Sequence, residues 1–207
     1  ENKLDISWHE NMTNFSLGFI SCWGIHHLDI AQWGNGTDDT GPCTVEGTGG
    51  FPKEGTCDAI LNWRVNFEYD RATPVTFVND GTQGFQHGIL FIGESGWAHV
   101  TRGALNVHDP AVLRDPQNKC GTMPIKLPVS NDHTRNFVDA IRNGTRAICD
   151  IDTAVRSDIL CQIALIAVKQ GRKLAWDPKA ERFVNDGAAN AMLQPRAFRG
   201  DLKLQDV

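Results

Sequence analysis

Leu61-Asn62-Trp63-Arg64-Val65-Asn66-Phe67-Glu68-Tyr69 alternates apolar and polar residues over its whole length. Successive side chains of an extended strand point to opposite faces, so Trp63, Val65 and Phe67 share a face that must be buried while their neighbours meet water. Such a strand needs partners, and they lie close by. Upstream, Gly41-Pro42-Cys43-Thr44-Val45-Glu46-Gly47-Thr48-Gly49-Gly50 reads as a short strand between breakers, leading into a Phe51-Pro52 loop. Downstream, a tight connection from Asp70 to Thr73 leads to Pro74-Val75-Thr76-Phe77-Val78. Gly93-Glu94-Ser95-Gly96 then joins Gly88-Ile89-Leu90-Phe91-Ile92 to Trp97-Ala98-His99-Val100-Thr101 as a hairpin. Strands joined by turns this short pair antiparallel.

Helices flank this block. Ile25, Leu28, Ala31 and Trp33 fall at helical spacing within His26-His27-Leu28-Asp29-Ile30-Ala31-Gln32-Trp33, and Gly34-Asn35-Gly36 stops that helix. After a proline-broken stretch from Asp109 to Pro128, Asn131 or Asp132 is positioned to cap a helix carrying Phe137, Val138 and Ile141, which ends at Asn143-Gly144. Asp152 is the expected cap of a second helix, striped by Val155, Ile159, Ile163, Ile166 and Ala167 and ended by Gly171. Helix, strands, helices in that order predict a single α+β domain over residues 1–207: an open, mainly antiparallel sheet with helices packed on one face.

The 207 residues are 41% hydrophobic and 22% charged, ordinary values for a globular domain of this length. A net charge of −5 with no basic run argues against nucleic acid as a partner. Ile159–Val168, the longest apolar stretch, is too short to span a bilayer, so no membrane partner is expected. The six cysteines form no CxxC pair and read as free thiols. The chain starts at Glu1 rather than Met, so an N-terminal segment is expected to precede it, and the compartment, cytoplasm or bacterial periplasm, stays open. Asn-X-Ser/Thr triplets at Asn11, Asn14, Asn35 and Asn143 carry little weight. No strand leads into Gly-x-Gly-x-x-Gly and a helix: Gly47-Thr48-Gly49-Gly50 runs into Phe51-Pro52 instead, so no cofactor-binding residue is expected in this chain.

Three stretches together resemble one family. They are Cys22-Trp23-Gly24-Ile25-His26-His27-Leu28-Asp29-Ile30-Ala31-Gln32-Trp33; Gly41-Pro42 through Val45-Glu46-Gly47-Thr48-Gly49 to Phe51-Pro52; and Gly171-Arg172-Lys173-Leu174-Ala175-Trp176-Asp177-Pro178 with Ala189-Asn190-Ala191-Met192-Leu193. In this order they are similar to the C-terminal α/β domain of the glucose-fructose oxidoreductase / inositol dehydrogenase (Gfo/Idh/MocA) family, bacterial type, without its Rossmann domain. The resemblance implies that NAD or NADP is bound by an N-terminal Rossmann domain of the full-length protein and that the substrate is a sugar or polyol. It further implies that this domain supplies the floor of the substrate site and a sheet used for homo-oligomerisation.

The family pattern places an Asp and a His four apart at the start of this domain, and a catalytic Lys in a Lys-Pro motif of the other half. By that pattern His26 is the catalytic candidate, and Trp23, His27, Asp29 and Trp33 are substrate-binding candidates, the tryptophans as stacking platforms for a sugar ring. Cys22 stands where the Asp is expected, and no Lys-Pro dipeptide occurs. A thiol replaces a carboxylate as base only as thiolate, which needs a positive neighbour. The chain alone is therefore expected to be inactive. A sugar lyase or hydrolase working through a transient keto-sugar and a non-enzymatic sugar-binding or assembly module are the alternatives.

Each candidate also has a structural alternative. His26 could fill a helix start, and Trp63 belongs to the buried face of its strand. His26 and His27 point about 100° apart on a helix and are poorly placed to chelate one ion. His87 and His99 lack a third ligand at metal-site spacing and read as polar positions on a solvated sheet face. No metal is expected.

Overall fold

In a computed structural model of the chain, residues 8–13, 15–79, 84–85, 87–113 and 129–194 are described. Cys120, most of the proline-broken stretch and Asn14 lie outside them. Three helices come first: α1 (Trp8–Asn11), α2 (Phe19–Cys22) and α3 (Gly24–Asn35). Six strands follow: β1 (Thr44–Gly50), β2 (Asn62–Glu68), β3 (Val75–Val78), β4 (Ile89–Gly93), β5 (Gly96–Val100) and β6 (Leu105–Val107). The chain ends with α4 (His133–Asn143), α5 (Ile151–Gln170), β7 (Leu174–Asp177), β8 (Arg182–Phe183) and α6 (Gly187–Ala191).

The strands form two antiparallel sheets, one ordered β3-β2-β1-β7-β8 and one ordered β4-β5-β6. The domain is α+β, with its helices on one face of the larger sheet. Strand β2 follows the alternation read from sequence: Trp63, Val65 and Phe67 are buried, and Asn62, Arg64, Asn66 and Glu68 are exposed. In register with them lie Gly49, Gly47 and Val45 of β1. The outer face is polar, carrying Glu46, Thr48, Arg64, Asn66, Glu68 and Thr76 in the open.

Helix α5 is the keel of the core. Leu160, Cys161, Ile163, Ala164, Ile166 and Ala167 are all buried, because the helix is wedged between β1 and β2 on one side and α2 and α3 on the other. Two β1 glycines permit that wedge: a Cβ on Gly47 would stand 2.9 Å from Val168 Cγ2, and one on Gly49 3.0 Å from Val168 Cγ1. Full burial of side chains of this size is worth roughly 1.5–3 kcal/mol each, so this region sets the stability of the domain.

One cap differs from expectation. Asp150, not Asp152, caps α5: its extended backbone lets the carboxylate accept the Thr153 N–H at 3.1 Å, which starts the helix at Ile151. Asp152 falls inside the first turn and pairs with Arg146 at 2.8 Å. Asp132 caps α4 as read, and Gly36, Gly144 and Gly171 end their helices in the left-handed conformation that glycine adopts without strain.

Candidate functional site

A bend at the start of α3 builds the site. Helix α2 stops at Cys22, and Trp23 turns the chain so that α3 begins at Gly24. Gly24 has to be glycine-sized, since a Cβ there would meet Phe77 Cζ of β3 at 2.8 Å. The far end of α3 is tied down by buried Gln32, whose Oε1 accepts hydroxyl hydrogens from Thr37 (2.6 Å) and Tyr69 (2.8 Å) while its Nε2 donates to the Thr37 carbonyl (3.0 Å). Burial pushes the Tyr69 hydroxyl up, keeping it a neutral donor. Near that end Gly34 receives the Phe91 ring of β4, where a Cβ would collide. The small sheet thus leans on α3.

Between α3, the β3 edge and β4 lies a cavity of about 1300 Å³. Trp23 and His27 line it, together with His87, Phe85, His99 and Trp63. Glu10 and Arg64 bring one carboxylate and one guanidinium to the lining. Around Trp23 the rings crowd: His87 meets it edge-on at 4.9 Å between centroids, His26 at 5.8 Å, and His27 stacks at 6.3 Å. His27 and His87 are 4.4 Å apart, and the Arg102 Cζ sits 5.3 Å from the Trp23 ring centre. Such a guanidinium position is attractive over an aromatic face. Burial, then the like charges of His87, His26 and Arg102, lower the His27 pKa to about 4. It is a neutral imidazole at pH 7.

Two polar atoms deeper in the lining have no partner. His99 and Trp63 are each only 7% exposed, and neither His99 Nε2 nor Trp63 Nε1 makes a hydrogen bond. An unsatisfied buried polar atom costs about 1–3 kcal/mol, so these two are poised for a ligand or water that fills the cavity.

The sequence candidates divide. Trp23, His26 and His27 come together, with His26 exposed and outside the lining. Asp29 and Trp33 do not join them. Asp29 accepts the hydroxyl of buried Ser157 of α5 at 2.7 Å, linking the two helices, and Trp33 is half exposed. Neither Cys22 nor His26 lines the cavity. The Cys22 thiol instead reaches the Glu10 carboxylate at 3.6 Å, and burial followed by that carboxylate pushes its pKa up. The positive neighbour a thiolate needs is replaced by a negative one.

His87 is exposed, as read, though it precedes β4 rather than lying on a strand, whereas His99, whose register partner is Leu90, departs from its reading. His99 is buried rather than solvated because Gly88, at φ 137°, leaves room for its ring. Arg102, in the β5–β6 turn, was not singled out at all; it carries no local sequence signal. Among the described residues no group of three or more His, Cys, Asp or Glu could hold a metal ion, and no helix is long and apolar enough to cross a membrane.

The profile of the oxidoreductase family C-terminal alpha/beta domain, of Gfo/Idh/MocA proteins, matches residues 11–204, and the chain belongs to that family. Among solved structures it is similar to an NAD-binding protein from Listeria innocua (15% identity, TM-score 0.53, covering 84% of this chain and 52% of that one). It is also similar to a candidate NADPH-dependent oxidoreductase from Desulfitobacterium hafniense DCB-2 (14% identity, TM-score 0.48, covering 84% and 52%). A third is a candidate myo-inositol dehydrogenase from Sinorhizobium meliloti 1021 (14% identity, TM-score 0.42, covering 76% and 50%). Among curated proteins none matches. The chain spans about half the length of the solved structures it matches.

The glycine-rich run does not fit the pyrophosphate of a dinucleotide. The glycine-rich run lies in β1 with Gly47 and Gly49 packed on Val168, so it presents no glycine turn at a helix N-terminus to a pyrophosphate.

Proposed function

We propose that this domain is the substrate side of a nicotinamide-dependent oxidoreductase acting on a CH–OH group of a sugar or polyol, with NAD or NADP held by a Rossmann half of the full-length protein. The observation that carries the reading is the gathering of Trp23, His26 and His27 at the mouth of a large cavity in a chain of this family. Trp23, 39% exposed, offers an aromatic surface to the C–H side of a sugar ring. Oxidising a carbinol requires a base for the hydroxyl proton. With the basicity of His27 depressed to about 4, its exposed neighbour His26 takes that role. The dinucleotide supplies the hydride acceptor; this chain binds and orients the substrate and moves the proton. Alone it is inactive.

The same reading includes homo-oligomerisation through the β4-β5-β6 sheet, supported by Ile92 and Leu105, which are 64% and 50% exposed there. A monodisperse monomer in light scattering at high concentration would contradict that part. The functional reading is tested by following NAD(P)⁺ reduction by the full-length protein over a panel of sugars and polyols, beside calorimetric titration of NAD(H) and NADP(H) into this chain. Turnover by the full-length protein, with no micromolar cofactor binding to the chain, is expected. Micromolar binding to the chain, or no turnover on the panel, would overturn it.

A further inference from the structure

The groups around Trp23 are imidazoles and a guanidinium, with no carboxylate among them. His26 and His27 stand in the first turn of α3, a twelve-residue helix whose N-terminus has no side-chain cap and no acidic residue in that turn. His87 arrives from the residue pair before β4 and Arg102 from the β5–β6 turn, so three elements deliver imidazoles and a guanidinium to one ring. The nearby carboxylates are engaged elsewhere: Glu10 of α1, also in the cavity lining, accepts the Cys22 thiol, and Asp29 of α3 accepts Ser157. Arg64 of β2, the other charged lining residue, is cationic too. Beyond this mouth the cavity continues to His99, nine-tenths buried with Nε2 unpartnered, and to Trp63 with Nε1 unpartnered. The first group calls for an anion and the second for hydroxyl oxygens on the same molecule.

We propose that the substrate carries an oxyanion, a carboxylate or a phosphate, bound by Arg102, His87 and His27 beside Trp23, with its hydroxyl groups reaching into the cavity toward His99 and Trp63. This rests on the functional reading above and narrows it from sugars in general to sugar acids or sugar phosphates. An anion at this place favours the protonated form of the imidazoles beside it, and a guanidinium grips it with two parallel N–H donors. Burial first, and then His87, His26 and Arg102, lower the His27 basicity, and a bound anion offsets the second part of that fall.

The test uses the full-length protein with gluconate, glucose and inorganic phosphate as probes. At low salt, calorimetry should give gluconate an affinity at least about tenfold above that of glucose, equivalent to one pKa unit of coupling. Arg102→Gln should abolish the advantage, and His87→Gln should reduce it. In NMR titration, the His27 ring should gain basicity when gluconate is bound. If inorganic phosphate shifts the His27 and His87 resonances and gluconate does not, the oxyanion is a phosphate. Equal affinities for gluconate and glucose, with no response to phosphate, would overturn the inference even if neutral sugars are turned over, leaving the functional reading intact. Failure of every sugar, acid and phosphate ester in the activity assay would overturn the functional reading, and calorimetry would still decide the anion site.

Discussion

The five-stranded sheet with α5 and the cavity between α3 and the three-stranded sheet are held by different forces. In the first, Val45, Val65, Phe67, Leu160 and Ile163 are almost wholly removed from water, and position is set by volume. In the second, rings meet edge-on, two polar atoms lack partners, and a guanidinium lies over a tryptophan. Stability is concentrated in the first and unsatisfied chemistry in the second. A domain built to close around a ligand needs both.

Removing bulk from the core should have the largest effect on stability. Phe67→Ala, at a fully buried position in the middle strand pair, is expected to lower unfolding free energy by about 3–5 kcal/mol. Phe91→Ala, at the half-buried cavity wall, should fall clearly short of that in the same denaturant titration. If the two losses are equal, the division between the regions fails. Asp29→Ala sharpens the comparison at their seam, because it strips buried Ser157 of its acceptor; a loss of about 1–3 kcal/mol is expected. No change in melting would return Asp29 to the list of substrate-binding candidates. Gly171→Ala, at φ +61°, should cost about 1 kcal/mol through the helix end alone.

A pH series separates the regions most finely. The His27 pKa is depressed in the folded state, so the unfolded chain binds its proton first. The contribution of His27 to stability is intact above about pH 6.5 and is lost as pH falls toward about 4. Replacing His27 by Gln should flatten the melting temperature between those limits. An unchanged slope would show that His27 is not held in a desolvated place among basic groups.

Legibility in the sequence followed the same division. Alternation in Asn62–Glu68 named the buried face residue by residue, and the Gly-ended helices were readable from their spacing, because burial and capping act over a few positions. The cap of α5 was misplaced by two residues, since Asp150 and Asp152 both satisfy the local rule and only the Thr153 hydrogen bond chooses. At the site, the resemblance led to Trp23, His26 and His27, which the structure gathers, and to Asp29 and Trp33, which it does not. His87 and Arg102 come from either side of a hairpin more than fifty residues along the chain. Their place beside Trp23 depends on Phe91 seating on Gly34, a contact that no periodicity reports.

The most direct test of the account is the pair of variants His26→Asn and His27→Asn in the full-length protein, assayed for turnover and melting. Loss of a proton-transfer group costs about two to four orders of magnitude in turnover. That loss is predicted for His26→Asn at a nearly unchanged melting temperature, with a smaller loss, mainly in substrate affinity, for His27→Asn. Wild-type turnover in His26→Asn, or unfolding of that variant, would contradict it.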